Sequence, residues 1–270
     1  MMSKTAPLAI DEIYNMDCIE AMKEIDDKSV DMILCDLPYG VTARNAWDTP
    51  IDPLQLWDQY RRIIKDNGVV VLFGSGMFTA NMMKVGASMW RYNLIWHKTT
   101  PTGYLNARRC PLRAHEDIMV FYNKQPTYNP QKTYGHPRKV STAKHKRNSE
   151  KSLCYNEAKA TTYDSAERFP TSVITFKTDK QCRSLHPTQK PVELLRWLIR
   201  TYTNEGDLVL DNACGSGSTG VAAVLENRHY IGIDNGVCEK AKSTFYGMPW
   251  SEISKKRIAE LHTANKGENT

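Results

Sequence analysis

Short apolar runs alternate with segments of helical periodicity along this 270-residue chain. The apolar runs predict six strands, at 30–35, 69–73, 92–96, 117–121, 208–211 and 230–233. Apolar residues at three- and four-residue spacing predict helices at 53–65, 79–87, 191–202 and 219–227. Apolar strands that alternate with helices are typical of a mostly parallel sheet with helices on both faces. The pattern therefore predicts an α/β, Rossmann-like fold.

Length and composition are those of an ordinary globular protein. The chain is long enough for one large core, or for one core and an inserted lobe, and 41% of its residues are hydrophobic. Its apolar runs are shorter than the roughly 18 residues that a membrane span needs. Residues 1–10 lack the apolar stretch and the cleavage site of a secretory signal. We expect a cytoplasmic protein without a membrane partner.

The seven cysteines are odd in number, and no two stand in a Cys-x-x-Cys pair. This spacing argues against a disulfide framework and against a structural zinc site. We expect the cysteines to be small buried residues in a reducing compartment, and we expect no metal site.

Positive charge is concentrated in one segment. Residues 124–151 contain eight basic side chains and one acidic side chain, whereas the net charge of the whole chain is +6. The wider segment 124–182 is rich in Pro, Asn, Ser, Thr and Tyr, which predicts a loop-rich insertion. It would separate two halves of one domain, 10–123 and 183–262, and a tail would follow at 263–270. The insertion is either a solvated surface lobe or a surface for a polyanion.

The insertion supplies candidate contacts to nucleic-acid phosphates. They are Lys132, Arg138, Lys139, Lys144, Lys146 and Arg147, interleaved with Tyr128, Tyr134 and Tyr155. Arg108, Arg109 and Arg113 follow a predicted strand and are further candidates. Ion pairs within the chain are the alternative role for these arginines.

A glycine-rich segment follows the predicted strand 208–211. It begins with Asp211 and has the spacing Gly215-x-Gly217-x-x-Gly220, and Asp234 ends the next strand. The spacing matches the dinucleotide fingerprint, so a nicotinamide or flavin enzyme is one hypothesis. However, the Asp211 carboxylate would repel a pyrophosphate and would suit the cationic S-adenosylmethionine. Asp234 is placed to accept hydrogen bonds from the two ribose hydroxyls of that cofactor.

The segment Asp36-Leu37-Pro38-Tyr39 follows the predicted strand 30–35. The exocyclic amino nitrogen of adenine or cytosine has its lone pair delocalised into the ring, so methylation requires acceptors that hold its hydrogens. The Asp36 carboxylate and the Leu37 carbonyl can accept them, Pro38 stiffens the loop, and Tyr39 offers a face for stacking. A base inside a duplex cannot reach such a pocket, so it must be flipped out.

Three segments and their order resemble the DNA amino-group methyltransferases of the beta arrangement. In that family the catalytic motif, the target-recognition region and the cofactor loop follow in this circularly permuted order. Asp36-Leu37-Pro38-Tyr39 is similar to the family's Asp-Pro-Pro-Tyr, and residues 186–195, which begin His-Pro-Thr-Gln-Lys-Pro, resemble its helix-opening cofactor motif. Residues 211–219 resemble its glycine loop, and Asn15-Met16-Asp17-Cys18 resembles the segment that contacts the cofactor adenine.

The resemblance implies an enzyme that transfers a methyl group from S-adenosylmethionine to adenine in double-stranded DNA. Transfer would be direct and in line, without a covalent intermediate. By family usage, Asp at the first catalytic position points to adenine. The implied catalytic residues are Asp36, Leu37, Pro38 and Tyr39. The implied cofactor-binding residues are Asp17, Cys18, Thr188, Gln189, Lys190, Asp211, Asn212, Cys214, Gly215, Ser216, Gly217, Ser218 and Asp234. The family further implies a homodimer as one option, and any restriction endonuclease would be a separate chain.

The chain also departs from the family pattern, and alternatives stay open. Leu37 replaces a proline, and Asn212-Ala213-Cys214 stands where the family often has Pro-Phe-Ala or Pro-Phe-Cys. Methylation of the cytosine amino group is the alternative in the same class; a dinucleotide-dependent oxidoreductase and an inactive DNA-binding relative are the others. A cysteine nucleophile at Cys35 or Cys214 is a rival mechanism, although neither follows a proline as that mechanism expects.

Overall fold

A computed structural model of the chain describes residues 7–40, 51–141, 162–178, 189–239 and 243–267. It contains two compact units. The larger unit comprises the described parts of Met1–Asn129 and Ser172–Thr270, and the smaller unit comprises those of Pro130–Thr171.

The described residues form ten strands and six α-helices. The strands are β1 Glu12–Tyr14, β2 Val30–Cys35, β3 Ile64–Gly74, β4 Trp90–Thr102, β5 Arg113–Phe121, β6 Lys139–Ser141, β7 Tyr163–Ser165, β8 Val173–Phe176, β9 Leu208–Asp211 and β10 His229–Ile233. The helices are α1 Cys18–Lys23, α2 Pro53–Ile63, α3 Met77–Val85, α4 Val192–Tyr202, α5 Ser218–Leu225 and α6 Trp250–Gly267.

The larger unit is built on an eight-stranded sheet in the order β1-β10-β9-β2-β3-β5-β4-β8. Strand β5 is antiparallel to both of its neighbours, and all the other pairings in this sheet are parallel. The chain runs from β2 to β3 in one direction across the sheet and from β9 to β10 in the other. The strand order therefore reverses between β2 and β9, and open α/β sheets bind ligands at such a point, beyond the carboxyl ends of the strands.

Helices cover both faces of this sheet, as the alternation along β2 illustrates. Met32 and Leu34 face a core that includes Leu198 of α4. Ile33 and Cys35 point the other way, into a second core that includes Trp57 of α2. Because successive side chains of a strand point to opposite faces, a strand covered on both sides is apolar throughout. This burial explains why the predicted apolar runs form the central strands.

Several elements differ from the predicted ones. The predicted strand 92–96 is the middle of the longer β4, and the direction of β5 was not predicted. The short strand β8 falls inside the segment 124–182 assigned to the insertion, yet it pairs with β4 and buries Ile174 in the main core. The elements β1, α1 and α6 were not predicted. Both β1 and α1 are short, so neither completes a recognisable period.

The smaller unit contains one antiparallel ladder between β6 and β7. Two ion pairs accompany the ladder. Arg138 donates to both oxygens of Asp164 at 2.6 Å, and Lys132 donates to Glu167 at 2.8 Å. Basic side chains of this unit are thus partly neutralised by its own carboxylates. No helix in the described part of the protein is long and apolar enough to cross a membrane.

Candidate active site

The catalytic segment and the glycine loop meet in one cavity of the larger unit. Strands β2 and β9 are neighbours, with Ile33 opposite Leu210, so Asp36, just after β2, and Asp211, the last residue of β9, lie at adjacent strand ends. The cavity has a volume of about 1330 Å³. Its lining includes the following predicted residues: Asp17, Cys18, Asp36, Leu37, Pro38, Tyr39, Gln189, Lys190, Asp211, Asn212, Cys214, Gly215, Ser216, Ser218 and Asp234.

The Asp36 carboxylate is held in place by two donors. The Tyr39 hydroxyl donates to Oδ1 at 2.8 Å, and the Lys190 ammonium donates to Oδ2 at 2.5 Å. The Tyr39 ring packs against the Phe78 ring with a centroid distance of 4.5 Å. The Asp36 carboxylate is therefore held by a hydrogen bond to each of its two oxygens.

A chain of alternating charges continues from Asp36 across the sheet. Lys190 Nζ lies 3.2 Å from Oε2 of Glu116 on β5, and the other Glu116 oxygen pairs with Lys98 on β4. All four side chains are largely withdrawn from water; that of Asp36 is 23% exposed and that of Lys190 is 9% exposed. The sequence predicts Lys190 as a cofactor-binding residue, and in the structure its ammonium lies between the Asp36 and Glu116 carboxylates. Glu116 and Lys98 belong to no recognised motif, and their strand pairing is what brings them here.

These contacts shift the pKa of the acids in different directions. Burial raises the pKa of Asp36, and Glu116 raises it further, while the Lys190 ammonium opposes both effects. For Glu116, burial also raises the pKa, but the two ammonium groups of Lys190 and Lys98 outweigh it and the net pKa is lowered. Glu116 is thus held as the anion, whereas the protonation of Asp36 depends on its neighbours.

The glycine loop lies between β9 and α5 and is shaped by its backbone. Gly215 and Gly217 have φ of 48° and 76°, in the left-handed region that favours glycine. A Cβ on Gly217 would lie 2.8 Å from Cβ of Ser254. The loop passes close to α6, whose Ser254 donates to the Gly215 carbonyl at 2.7 Å and whose Arg257 donates to Ser218 Oγ at 3.0 Å. These two α6 contacts support the loop, and no motif indicated them.

Two carboxylates flank the loop: Asp211 is buried and Asp234 is partly buried. Asp234, after β10, accepts the backbone N–H groups of Gly215 and Gly236, each at 2.8 Å, and burial raises its pKa. Burial also raises the pKa of Asp211 to about 6. The described basic residues that line the cavity, Lys98, Arg113 and Lys190, come from other segments than the glycine loop. Two acids beside the loop suit a cationic ligand and oppose a pyrophosphate, because like charges repel.

The remaining predicted cofactor residues lie around the same end of the cavity. Asp17 caps α1, and its Oδ1 accepts the backbone N–H groups of Ile19 and Glu20. Ser216 Oγ donates to Gln189 Oε1 at 3.3 Å, so Gln189 contacts the glycine loop while its neighbour Lys190 contacts Asp36. Asn212 accepts the Tyr60 hydroxyl of α2 at 2.7 Å. Thr188 lies outside the described residues.

The three cysteines in or beside the cavity are poor nucleophiles. Burial raises the pKa of Cys18 to about 11 and raises that of Cys35 and of Cys214 well above the usual value. A thiolate is the reactive form of cysteine, and these thiols stay protonated at neutral pH. The described part of the chain also contains no cluster of three or more His, Cys, Asp or Glu side chains that could hold a metal ion.

The predicted phosphate contacts are less uniform than the sequence indicated. Lys132 and Arg138 are engaged in the ion pairs with Glu167 and Asp164. Lys139 is exposed on β6. Three further candidates, Lys144, Lys146 and Arg147, lie outside the described residues, as does Tyr155.

Comparison with known proteins gives one consistent result. The model of the N6/N4 methyltransferase family, described as DNA methylase, matches residues 30–242. The type II methyltransferase M2.MboI of Moraxella bovis is 27% identical over 95% of this chain and 90% of its own length. The type II methyltransferase M.HinfI of Haemophilus influenzae is 27% identical over 97% of this chain and 72% of its own length.

Two solved structures have a similar fold. The complex of M1.HpyAVI with SAM has a TM-score of 0.59 and 22% identity, and covers 92% of this chain and 98% of that one. The PvuII DNA methyltransferase, described as cytosine-N4-specific, has a TM-score of 0.62 and 13% identity, with 94% of both chains covered. At these identities the likeness concerns the arrangement of strands and helices.

Proposed function

Because this chain belongs to the N6/N4 DNA methylase family, which uses S-adenosylmethionine, we propose that it methylates the exocyclic amino nitrogen of adenine in double-stranded DNA. One observation carries the proposal: Asp36 and Asp211 lie at adjacent strand ends and line one cavity. The chemistry requires acceptors for an amino group beside a pocket for a cation. The cavity combines both.

The catalytic side of the cavity holds the amino group. The Asp36 carboxylate accepts a hydrogen bond from one N–H of the amino group, and the Leu37 carbonyl accepts one from the other N–H. With its hydrogens held in this way, the nitrogen becomes pyramidal and its lone pair is no longer delocalised into the ring. Tyr39 and Lys190 fix the carboxylate through their hydrogen bonds to Asp36. Such preorganisation costs no rearrangement at the moment of reaction. The target base reaches this pocket by flipping out of the duplex.

The glycine-loop side of the cavity binds the cofactor. S-adenosylmethionine, when bound, supplies an electrophilic methyl group on a sulfonium. Asp211 attracts the ammonium of its amino-acid end, and Asp234 accepts hydrogen bonds from the ribose hydroxyls, since each of its oxygens receives one backbone N–H and retains a second lone pair. Asp17 accepts a hydrogen bond from the adenine amino group. Cys18, Gln189, Asn212 and Ser216 complete the walls around the donor.

Adenine is the proposed base, and cytosine is the alternative. The Asp side chain at the first catalytic position supports adenine through the family's usage. Cytosine stays the alternative because an enzyme with a similar fold, the PvuII methyltransferase, is described as cytosine-N4-specific. Both bases present an amino group with two hydrogens, so the same acceptors serve either reaction. We further propose that the enzyme modifies one short sequence, as part of a type II system whose endonuclease is a separate chain.

Sequencing of host genomic DNA tests the proposal. The protein is expressed in a host that lacks adenine methylation, and the DNA is sequenced on a platform that reports modified bases in context. We expect methylated adenine in one short motif. Modified cytosine would overturn the choice of base, and the absence of any modification would overturn the proposed activity.

The variant Asp36→Ala is the matched control for that experiment. It removes the acceptor of the amino group but leaves the glycine loop intact, so we expect loss of methylation with retention of S-adenosylmethionine binding in calorimetry. Undiminished methylation by this variant would contradict the role of Asp36.

A further inference from the structure

The loop at 103–112 connects β4 and β5 and carries an apolar tip. Tyr104 is 65% exposed and Leu105 is fully exposed. Isolated apolar residues on a surface are common. Here, however, two large ones stand side by side at the end of a hairpin, and neither belongs to an apolar core of the described residues.

The loop is ordered by its own backbone. Gly103 has a φ of 96°, and a 3₁₀ turn follows at Tyr104–Asn106. The Asn106 N–H donates to the Gly103 carbonyl at 2.9 Å, and the Arg109 N–H donates to the Asn106 carbonyl at 2.8 Å. An internally bonded turn presents its side chains in a defined direction. The apolar tip is therefore a fixed projection of the hairpin.

The loop is also strongly basic. It is flanked by Arg113 and contains Arg108 and Arg109, and no acidic residue occurs between Lys98 and Glu116. The three arginines are exposed and form no ion pair with the described residues. This distinguishes them from Lys132 and Arg138, whose charges are neutralised within the smaller unit. Exposed arginines around an apolar tip, without an ion pair in the part of the chain that the structure describes, suit the negative charge of a nucleic-acid backbone.

The base of the loop lies at the active-site cavity. Thr102 and Arg113 are paired across β4 and β5, and both line the cavity that contains Asp36. The same two strands carry Lys98 and Glu116, which belong to the row of alternating charges that begins at Asp36. A duplex that delivers a base to Asp36 must therefore approach this hairpin.

We propose that the loop at 103–112 is a wedge that enters duplex DNA during base flipping, an inference that rests on the proposed methyltransferase activity. Leu105, supported by Tyr104, fills the space that the flipped base leaves in the stack, while Arg108 and Arg109 contact the adjacent phosphates. Flipping costs unstacking energy, and apolar side chains inserted between bases offset part of it.

The variant Leu105→Ala tests the wedge on two duplexes. Both carry the recognition sequence found by genomic sequencing, and in one of them a mismatch opposite the target base lowers the cost of flipping. We expect the variant to methylate the fully paired duplex about tenfold more slowly than wild type, and the mismatched duplex within about twofold of wild type. With 2-aminopurine at the target position, the variant should give a weaker rise in fluorescence than wild type.

The variant Ile10→Ala is the matched control, since Ile10 is a half-exposed apolar residue before β1, at the opposite edge of the sheet. It should leave both rates unchanged. An equal loss on both duplexes, or no loss with Leu105→Ala, would overturn the wedge. Host genomic DNA without any modified base would instead overturn the proposed function itself, and this inference with it.

The arginines are tested by the salt dependence of DNA binding. Substitution of both Arg108 and Arg109 by Gln should reduce the slope of log Kd against log salt by about 1 to 2, because each phosphate contact releases about one counterion. An unchanged slope would overturn the phosphate contacts of the loop.

Discussion

At the scale of single residues, burial raises the pKa of Asp36, and two charged neighbours shift that pKa in opposite directions. The Lys190 ammonium stabilises the carboxylate, and Glu116 destabilises it. Only the ionised carboxylate offers two acceptor oxygens while it keeps the Tyr39 and Lys190 bonds. Activity should therefore fall at low pH as Asp36 becomes protonated. Lys190 and Glu116 act as positioning residues through Asp36.

Charge-neutral variants of these two neighbours should move the acid limb of the pH profile in opposite directions. Lys190→Gln removes the favourable ammonium and raises the pKa of Asp36, so the rate should fall at a higher pH than in wild type. Glu116→Gln removes a repelling carboxylate and lowers that pKa, so the limb should move to lower pH. The measurement is kcat against pH at saturating substrates. If the acid limbs of the two variants moved in the same direction, these residues would act through folding and not through Asp36.

At the scale of elements, the cofactor pocket depends on the close approach of the glycine loop to α6. Gly217 meets Ser254 with no room for a Cβ, and Ser254 in turn donates to the Gly215 carbonyl. The loop conformation is thus fixed by a helix that lies about 40 residues further along the chain. The local motif alone does not determine the shape of the pocket.

The variant Gly217→Ala should be more destabilising than Gly206→Ala, although both glycines have positive φ, of 76° and 81°. An added Cβ on Gly206 has no heavy atom within 4 Å, so only backbone strain of about 1–2 kcal/mol is expected. On Gly217, the contact with Ser254 adds about 1–3 kcal/mol. The free energy of unfolding in urea measures both. Equal losses would contradict the packing of the loop against α6, and S-adenosylmethionine binding should be lost in Gly217→Ala alone.

The sequence predicted the elements whose burial requires a local run or period of apolar residues. The central strands are apolar on both faces, so their positions follow from the residues themselves. The direction of β5 does not, because it depends on a hairpin turn that the apolar pattern does not specify. Strand β8 has too few residues for a period. Glu116 and Lys98 were missed because neither lies in a recognised motif, and only the pairing of β4 with β5 brings them to Asp36.

At the scale of the whole molecule, the two functions proposed for the cavity come from segments that are far apart in the chain. The proposed amino-group acceptors follow β2, whereas the proposed cofactor loop follows β9, and the strand order makes the two neighbours. The sequence motifs predicted each of the two segments, and the predicted fold class implied that they lie close together. The contact of Gln189 with the glycine loop, beside that of Lys190 with Asp36, connects the halves and was not predicted. Binding and chemistry should still be separable.

Thermal unfolding with and without S-adenosylmethionine tests this separation. A donor at a hundred times its Kd stabilises the fold by about 2.7 kcal/mol, which raises the Tm by about 5–10 °C in a chain of this size. Asp36→Ala should keep that shift. The shift in wild type should shrink as the pH falls below the Asp211 pKa of about 6, because the protonated acid no longer attracts the donor's ammonium. Asp211→Asn should give a small, pH-independent shift. If Asp36→Ala also abolishes the Tm shift, donor binding and amino-group recognition are not separable. Both sides of the cavity would then have to be intact before the donor binds.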